Sequence, residues 1–324
     1  MGRRLCPPTF VFHLFDSAAS VLVNSFDEST SVNGLIVGCG YLGQQVARRW
    51  IDQGLCVYAL TRSEDSAQRL AQQSIHPIQV DWYDKDRWPK LPSVDRLLVC
   101  ASHAPVTGLP SSETHVRGLR NLFAQLDSIP RRLAYLSTTG VYAACDDGRW
   151  IDECGPVNPN RPGSVAALAA EQWIIENLPI DRYSILRAAG IYGPGRIPRL
   201  DKLRSHEPID VDPESYLNLI HVEDLAEAVI ALLNQLSANG IFNVSDGNPP
   251  LRRDYYQYIA TTIGSAMPEF RDAGSNNQAS EGATIRRRGE GNKRVSNQRL
   301  VESLDFHFHF PDFKAGLTPL LKSG

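Results

Sequence analysis

Residues 35–43 read Leu35-Ile36-Val37-Gly38-Cys39-Gly40-Tyr41-Leu42-Gly43. Three apolar residues run into three glycines at the spacing G-x-G-x-x-G, and the segment from Tyr41 to Gln53 then carries apolar residues at helical spacing. The pattern predicts a strand that turns tightly into a helix. Gly38 permits the turn, Gly40 lets the backbone approach a diphosphate, and Gly43 lets the helix pack closely on the strand. The helix N-terminus adds oriented N–H groups and partial positive charge, which suit an anion. A dinucleotide-binding unit follows from this reading, with Gly38, Gly40, Tyr41, Leu42 and Gly43 at the phosphates.

Outward from this loop, short apolar runs alternate with longer amphipathic ones, the signature of βαβ units and a parallel sheet. Strands are expected at Cys56 to Leu60, Pro77 to Val80, Arg96 to Cys100, Arg132 to Leu136 and Tyr183 to Leu186. Helices are expected between them, at Glu64 to Gln73, Thr114 to Leu126 and Val165 to Leu178. Beyond the turn Gly193-Pro194-Gly195 the alternation loosens. A helix from His221 to Leu236, with Asp224 and Glu227 on its polar side, and a strand from Ile241 to Val244 follow. The fold class is therefore α/β, a Rossmann-type doubly wound parallel sheet over residues 32–195. A smaller C-terminal substrate lobe occupies 196–324, with 219–246 returning to the main sheet. Residues 1–31 are read as an N-terminal extension outside the fold, and Arg271 to Asn292, polar and glycine-rich, as a loop.

The end of the second strand decides the coenzyme. An acid there would bond the ribose 2′-OH of NAD, but the sequence is Leu60-Thr61-Arg62-Ser63. Arg62 can pair with a 2′-phosphate by charge-assisted hydrogen bonds, and Thr61 or Ser63 can add a hydroxyl, which favours NADP over NAD. The plainer reading, that Arg62 opens a solvated helix beside Glu64, stays open. So do two readings of Asp81, an adenine-side contact or a cap for its own turn. Ala101 and Ser102 follow the fourth strand at the crevice where cofactors lie in open parallel sheets, and their small side chains admit ribose and phosphates.

Composition narrows the partners. The chain has 324 residues, 42% of them hydrophobic, enough to bury a full α/β core. A formal net charge of -3 gives no broad positive field for nucleic acid, so a small-molecule partner is expected. Six scattered cysteines, Cys6, Cys39, Cys56, Cys100, Cys145 and Cys154, show no zinc-like spacing. They read as reduced thiols of a cytoplasmic protein, with no metal and no membrane segment.

Four stretches in order carry a resemblance. They are the glycine loop, Leu136-Ser137-Thr138-Thr139-Gly140-Val141-Tyr142, Arg187-Ala188-Ala189-Gly190-Ile191-Tyr192-Gly193-Pro194-Gly195-Arg196, and Leu219-Ile220-His221-Val222-Glu223-Asp224-Leu225. Over about residues 33 to 324 the chain resembles the short-chain dehydrogenase/reductase superfamily, in its extended NAD-dependent epimerase/dehydratase branch. The resemblance implies a catalytic hydroxyl at Thr138, and places Gly190, Ile191 and Tyr192 against the nicotinamide. It also implies a Tyr-x-x-x-Lys pair, in which the tyrosine exchanges a proton with substrate and the lysine lowers its pKa. Here Gly163 and Ala167 stand at those positions, and no lysine occurs between Lys90 and Lys202.

Arg161 is the nearest cation, and a guanidinium that stays protonated cannot copy a lysine's proton traffic. Tyr142 and Tyr192 are the nearest phenols, positions that in the resembling family pack or line the cofactor pocket, and Tyr142 is named with Thr138 as the catalytic candidates. His103 and His221 are weighed as structural rather than proton-transferring groups. Arg196 and the run Arg286-Arg287-Arg288 could meet an anionic substrate or lie in a solvated charge run. His307 and His309, alternating with Phe306, Phe308 and Phe310, suggest an edge strand. The expectation is an NAD(P)-dependent oxidoreductase or epimerase-like enzyme on a small carbonyl or sugar-like substrate. The alternative is an NADP(H)-binding sensor or scaffold without chemistry. The resemblance further suggests a homodimer.

Overall fold

The computed structural model describes residues 32–271 and 291–322. The expectations for residues 1–31 and for Arg286 to Arg288 lie outside the described residues. The first half runs β1 (Asn33–Val37), α1 (Tyr41–Asp52), β2 (Cys56–Thr61), α2 (Glu64–Ala71), β3 (His76–Gln79), β4 (Arg96–Val99), α3 (Ser111–Gln125) and β5 (Arg132–Thr138). Then come β6 (Trp150–Ile151), α4 (Pro162–Asn177), β7 (Tyr183–Ala188), β8 (Gly190–Tyr192), α5 (Leu200–Arg204), β9 (Ile209–Asp210) and β10 (Leu219–His221). The rest comprises α6 (Val222–Asn234), β11 (Gly240–Val244), α7 (Arg252–Thr262), β12 (Phe270–Arg271), β13 (Arg294–Val295), α8 (Gln298–Leu304) and α9 (Phe313–Lys322).

Seven strands form one parallel sheet in the order β11-β7-β5-β4-β1-β2-β3. The expected doubly wound Rossmann architecture is thus present. β1 pairs with β2 on one side and β4 on the other, so the strand order reverses at β1, and the crevice for a ligand opens above that point. Two apolar layers cover the sheet. One packs α1 and α6 through Val46, Trp50, Leu225 and Val229; the other packs α3 and α4 through Leu119, Leu122, Ala170 and Ile174. Both sets are fully buried, as a sheet covered on both faces demands.

A third apolar cluster, built on Tyr192, Leu203, Ile209, Tyr255, Tyr256, Phe313 and Leu317, lies after the turn at Gly193 to Gly195. It holds α5, α7 and α9 beside the carboxyl ends of the sheet strands.

Three local expectations are corrected. Phe306 to Phe310 is not a strand. Its backbone instead feeds the Asp224 carboxylate, which accepts N–H bonds from His309 at 2.8 Å and Phe310 at 2.9 Å. Asp224 is accordingly buried and does not lie on the polar face of α6. The helix expected from Val165 begins earlier, with Pro162 in its first turn, where a missing N–H costs nothing.

Among the described residues no helix is long and apolar enough to cross a membrane. Cys39, Cys56, Cys100 and Cys145 are free thiols. Cys154 is disulfide-bonded, against the expectation of a reduced thiol there.

Candidate functional site

β1 ends at Val37, and the chain turns at Gly38 with φ +92°, a backbone region that L side chains rarely adopt. A Cβ on Gly38 would also lie 2.5 Å from the Ala101 backbone, because the strand ends of β1 and β4 meet here. Gly43 packs against the same turn, with Gly38 O only 2.8 Å from where its Cβ would stand. Gly40 differs. A Cβ there would meet nothing within 4 Å, since it would project into open space above the loop. No side chain caps α1 and no acid occupies its first turn, so its N-terminal N–H groups remain available to a ligand.

That space is a cavity of about 800 Å³, lined by Gly38, Gly40, Tyr41, Leu42, Thr61, Arg62, Ser63, Ala101 and Ser102 among others. Of the expected coenzyme residues, all of these converge. Among the described residues no acidic side chain lines it, which suits an anionic ligand. At the β2 end, Arg69 and Ser66 of α2 join Arg62, with Arg69 donating to Ser66 Oγ at 2.9 Å. Ser63 caps α2, its hydroxyl accepting the Ser66 N–H at 3.4 Å. Asp81 does not line the cavity; its carboxylate accepts the Tyr83 N–H at 3.1 Å, the turn-capping geometry. Trp82 and Tyr83 line the cavity in its place.

The two cysteines beside the loop are held as thiols rather than thiolates. Burial pushes the Cys39 thiol up to about 12 and raises Cys100 as well, and Cys100 donates to Gly38 O at 3.1 Å.

A second cavity, about 990 Å³, adjoins the first, and Ile191 and Arg196 line both. Thr138, Gly140, Arg161, Gly190, Arg199 and Arg252 are among its walls. Thr138 Oγ1 accepts the Gly140 N–H at 3.1 Å. A methyl group on Gly140 would come within 2.5 Å of Ser164 Oγ, 2.6 Å of an Arg161 guanidinium nitrogen and 3.3 Å of Thr138 Oγ1, so three polar groups close on one point.

Tyr142 and Tyr192 line neither cavity. Tyr142 is 3% exposed, and its hydroxyl donates to Asn243 Oδ1 at 2.6 Å. Burial pushes it up to about 12 despite the nearby Arg187 guanidinium. Tyr192 is fully buried, packed edge-on against His221 and bonded weakly to Asp312 O at 3.4 Å.

On α4, Gly163 and Ala167 occupy the positions where the resemblance implies the proton-transferring pair. A Cβ on Gly163 would stand 3.5 Å from His103 Cβ, so the histidine packs beside the missing side chain. His103 Nδ1 in turn lies 3.3 Å from Thr114 Oγ1. Ala167 is buried. His221 caps α6, Nδ1 accepting the Glu223 N–H at 3.4 Å, and burial pushes its pKa down to about 4, so it is neutral.

Residues invisible in the sequence pattern complete the site. Ser66, Arg69, Trp82 and Tyr83 reach the first cavity, and Ser164, Arg199 and Arg252 reach or border the second. The spacing of Ser66 and Arg69 after Arg62, one and two turns into α2, is the one signal that could have disclosed any of them.

Comparison with known proteins places the chain in context. The NAD dependent epimerase/dehydratase family matches residues 35–245. The chain is 28% identical over 284 residues to Protein YeeZ of Escherichia coli (strain K12), covering 86% of this chain and 96% of that protein. It is also 28% identical over 243 residues to a 4-hydroxy-2-methyl-3-oxo-4-farnesyl-3,4-dihydroquinoline-1-oxide ketoreductase of Stigmatella aurantiaca, covering 70% and 72% of the two chains. A solved structure of a functionally unknown conserved protein from Silicibacter pomeroyi DSS superimposes with a TM-score of 0.70 at 28% identity, covering 90% of this chain and 99% of that one.

Proposed function

Since the chain belongs to the NAD dependent epimerase/dehydratase family, we propose that it binds NADP(H) in the 800 Å³ cavity and works as an oxidoreductase or epimerase-like enzyme. Its substrate is a small carbonyl or sugar-like molecule held in the adjoining cavity. The observation that carries this reading is the cleft itself, in which no acidic side chain stands among the described residues. It has Arg62 and Arg69 at one end and the glycine loop in its walls, and it shares Ile191 and Arg196 with a second cavity. Two guanidinium groups with serine hydroxyls suit the 2′-phosphate of NADP, which a carboxylate would repel. The open space over Gly40 and the uncapped start of α1 suit the diphosphate.

The nicotinamide supplies hydride transfer when bound. This chain's residues then do the rest. Thr138 holds the substrate oxygen, and Arg161 beside it stabilises negative charge that develops there. Arg161 stays protonated, so the proton comes from water or from the substrate itself. Tyr142, outside both cavities with its hydroxyl committed to Asn243, is given no part in the chemistry. A site without a dedicated acid–base pair gives up about 10² to 10⁴-fold in rate, so slow turnover is expected.

Gly163 and Ala167, with no polar atom in either side chain, favour a second reading, an NADP(H)-binding sensor that performs no chemistry. Following NADPH oxidation over aldehydes, ketones and nucleotide sugars, with coenzyme titration in parallel, separates the two. Turnover on any compound supports the enzyme, and tight binding without turnover supports the sensor. Absence of binding by both NADPH and NADH removes both.

A further inference from the structure

β4 and β5 lie side by side in the sheet, and their register pairs Arg96 with Arg132 at the first residue of each strand. Paired residues of parallel strands project to one face. Here that face is the layer of α1 and α6, since Leu98 and Ala134, two residues on, both lie in it. Like charges set directly opposite each other work against strand pairing. Arg131, which is exposed, brings a third guanidinium group to the same edge.

The fold answers the charge of one of the three. Arg132 is 1% exposed, and its Nη2 donates to Leu232 O at 2.7 Å and Ala238 O at 2.8 Å, around the carboxyl end of α6. That helix end carries partial negative charge, which suits a cation. Arg96 has no such arrangement. Its Nη1 is buried without an acceptor, as is the Nε of Arg132. Burial lowers the Arg96 pKa and Arg131 lowers it further, with Asp95 opposing. Among the described residues none of the three arginines forms an ion pair. Asp95, the carboxylate at this edge, accepts the Asn33 N–H at 2.9 Å.

These residues surround a third cavity, about 340 Å³, at the amino ends of β1, β4 and β5, the opposite end of the sheet from the other two. Its apolar walls are Val32, Leu233 and Leu236. Val32 and Leu236 are 40% and 53% exposed, so open apolar surface adjoins cations without a counter-charge. We propose that this cavity binds a small organic carboxylate, its charged group at Arg96 and Arg131 and its apolar body against Val32, Leu233 and Leu236. Charge balance selects the group. With the carboxyl end of α6 answering Arg132, two guanidinium groups face the one carboxylate of Asp95, which leaves a single positive charge to neutralise. A carboxylate supplies one negative charge and accepts forked N–H donors, whereas a phosphate monoester at neutral pH brings nearly two. The volume lies at the small end of the range for ligand sites, about 300–1,000 Å³. The site shares no residue with the coenzyme or substrate cavity, so it stands whether or not the chain performs the proposed chemistry.

The test titrates the full-length protein with hexanoate, acetate, hexanol and hexyl phosphate by calorimetry at matched ionic strength. Saturable hexanoate binding is expected. Acetate, which lacks the apolar body, and hexanol, which lacks the charge, should each bind about tenfold more weakly or worse. Arg96→Gln and Leu236→Asp should each weaken hexanoate by about tenfold or more, and Arg131→Gln, at an exposed position, by about threefold. Arg196→Gln, in the wall that the other two cavities share, should leave hexanoate affinity within about twofold. The proposal is overturned by any of four results: no saturable hexanoate binding, acetate or hexanol binding as tightly, hexyl phosphate binding more tightly, or a response lost in Arg196→Gln and kept in Arg96→Gln and Leu236→Asp. Should Arg96→Gln unfold, Leu236→Asp, at an exposed position, decides alone. A protein that binds hexanoate as expected but neither coenzyme refutes the coenzyme reading and leaves this site standing.

Discussion

Gly38 and Gly40 serve the same loop for different physical reasons, and substitution separates them. A methyl group at Gly38 meets the Ala101 backbone at 2.5 Å on a strained φ, so Gly38→Ala should destabilise the fold by about 1–3 kcal/mol in a urea titration. Gly40→Ala should keep stability within about 0.5 kcal/mol, because its methyl group meets nothing, and should weaken coenzyme about tenfold or more by filling the ligand's space. Arg62→Ala should lower NADPH affinity about tenfold to a hundredfold and leave NADH nearly unchanged, read by fluorescence titration of both. Tyr142→Phe should lose about 1–3 kcal/mol of stability, because Asn243 is left unpaired in the core, with little effect on turnover. The glycines were legible because a tight turn is encoded within a few residues. Arg199 and Arg252 were not, since 53 positions separate them and only the packing of α7 against α5 brings them to the same cavity.

At the level of elements, α4 is tied to the sheet by charge as well as by apolar packing. Glu171 and Arg187, 1% and 4% exposed, form a forked pair at 2.7 Å, and Ser137 of β5 donates to the same carboxylate. Arg187 also covers the Tyr142 ring at 4.9 Å. Glu171→Ala should cost about 3–5 kcal/mol, measured by denaturant unfolding, because it strands a buried cation. The alternation of β and α elements was readable from apolar periodicity. The failure at Phe306 to Phe310 is instructive: a period of two reads as a strand, yet here it alternates rings packed together with backbone donors captured by Asp224. Periodicity reports which side chains are buried, not what the backbone hydrogen-bonds to.

For the whole molecule, the sheet order places the first and second cavities above the carboxyl ends of the strands, an outcome contained in the glycine loop and the alternating pattern together. Stability should also report the buried carboxyl that follows β11. Burial pushes Asp246 up from 3.8 to about 8, with the Asn248 N–H opposing. The folded chain then holds this proton more tightly than the unfolded chain, so its contribution is full below about pH 4 and is lost as pH rises toward 8. Asp246→Asn should remove that loss, gaining at least about 1 kcal/mol over wild type near pH 8 in thermal melts. His115 and His221, each pushed down to about 4, titrate in the opposite sense and strengthen the fold as pH rises from about 4 to 6.5. They are common to both proteins and cancel in the difference. Arg196 stacks on Tyr41 of the glycine loop while also facing the second cavity. A side chain shared in this way makes order of arrival matter: the first molecule to settle fixes its rotamer, and the second finds a doorway already shaped. Product-inhibition patterns should therefore be those of a compulsory sequence, coenzyme first and last.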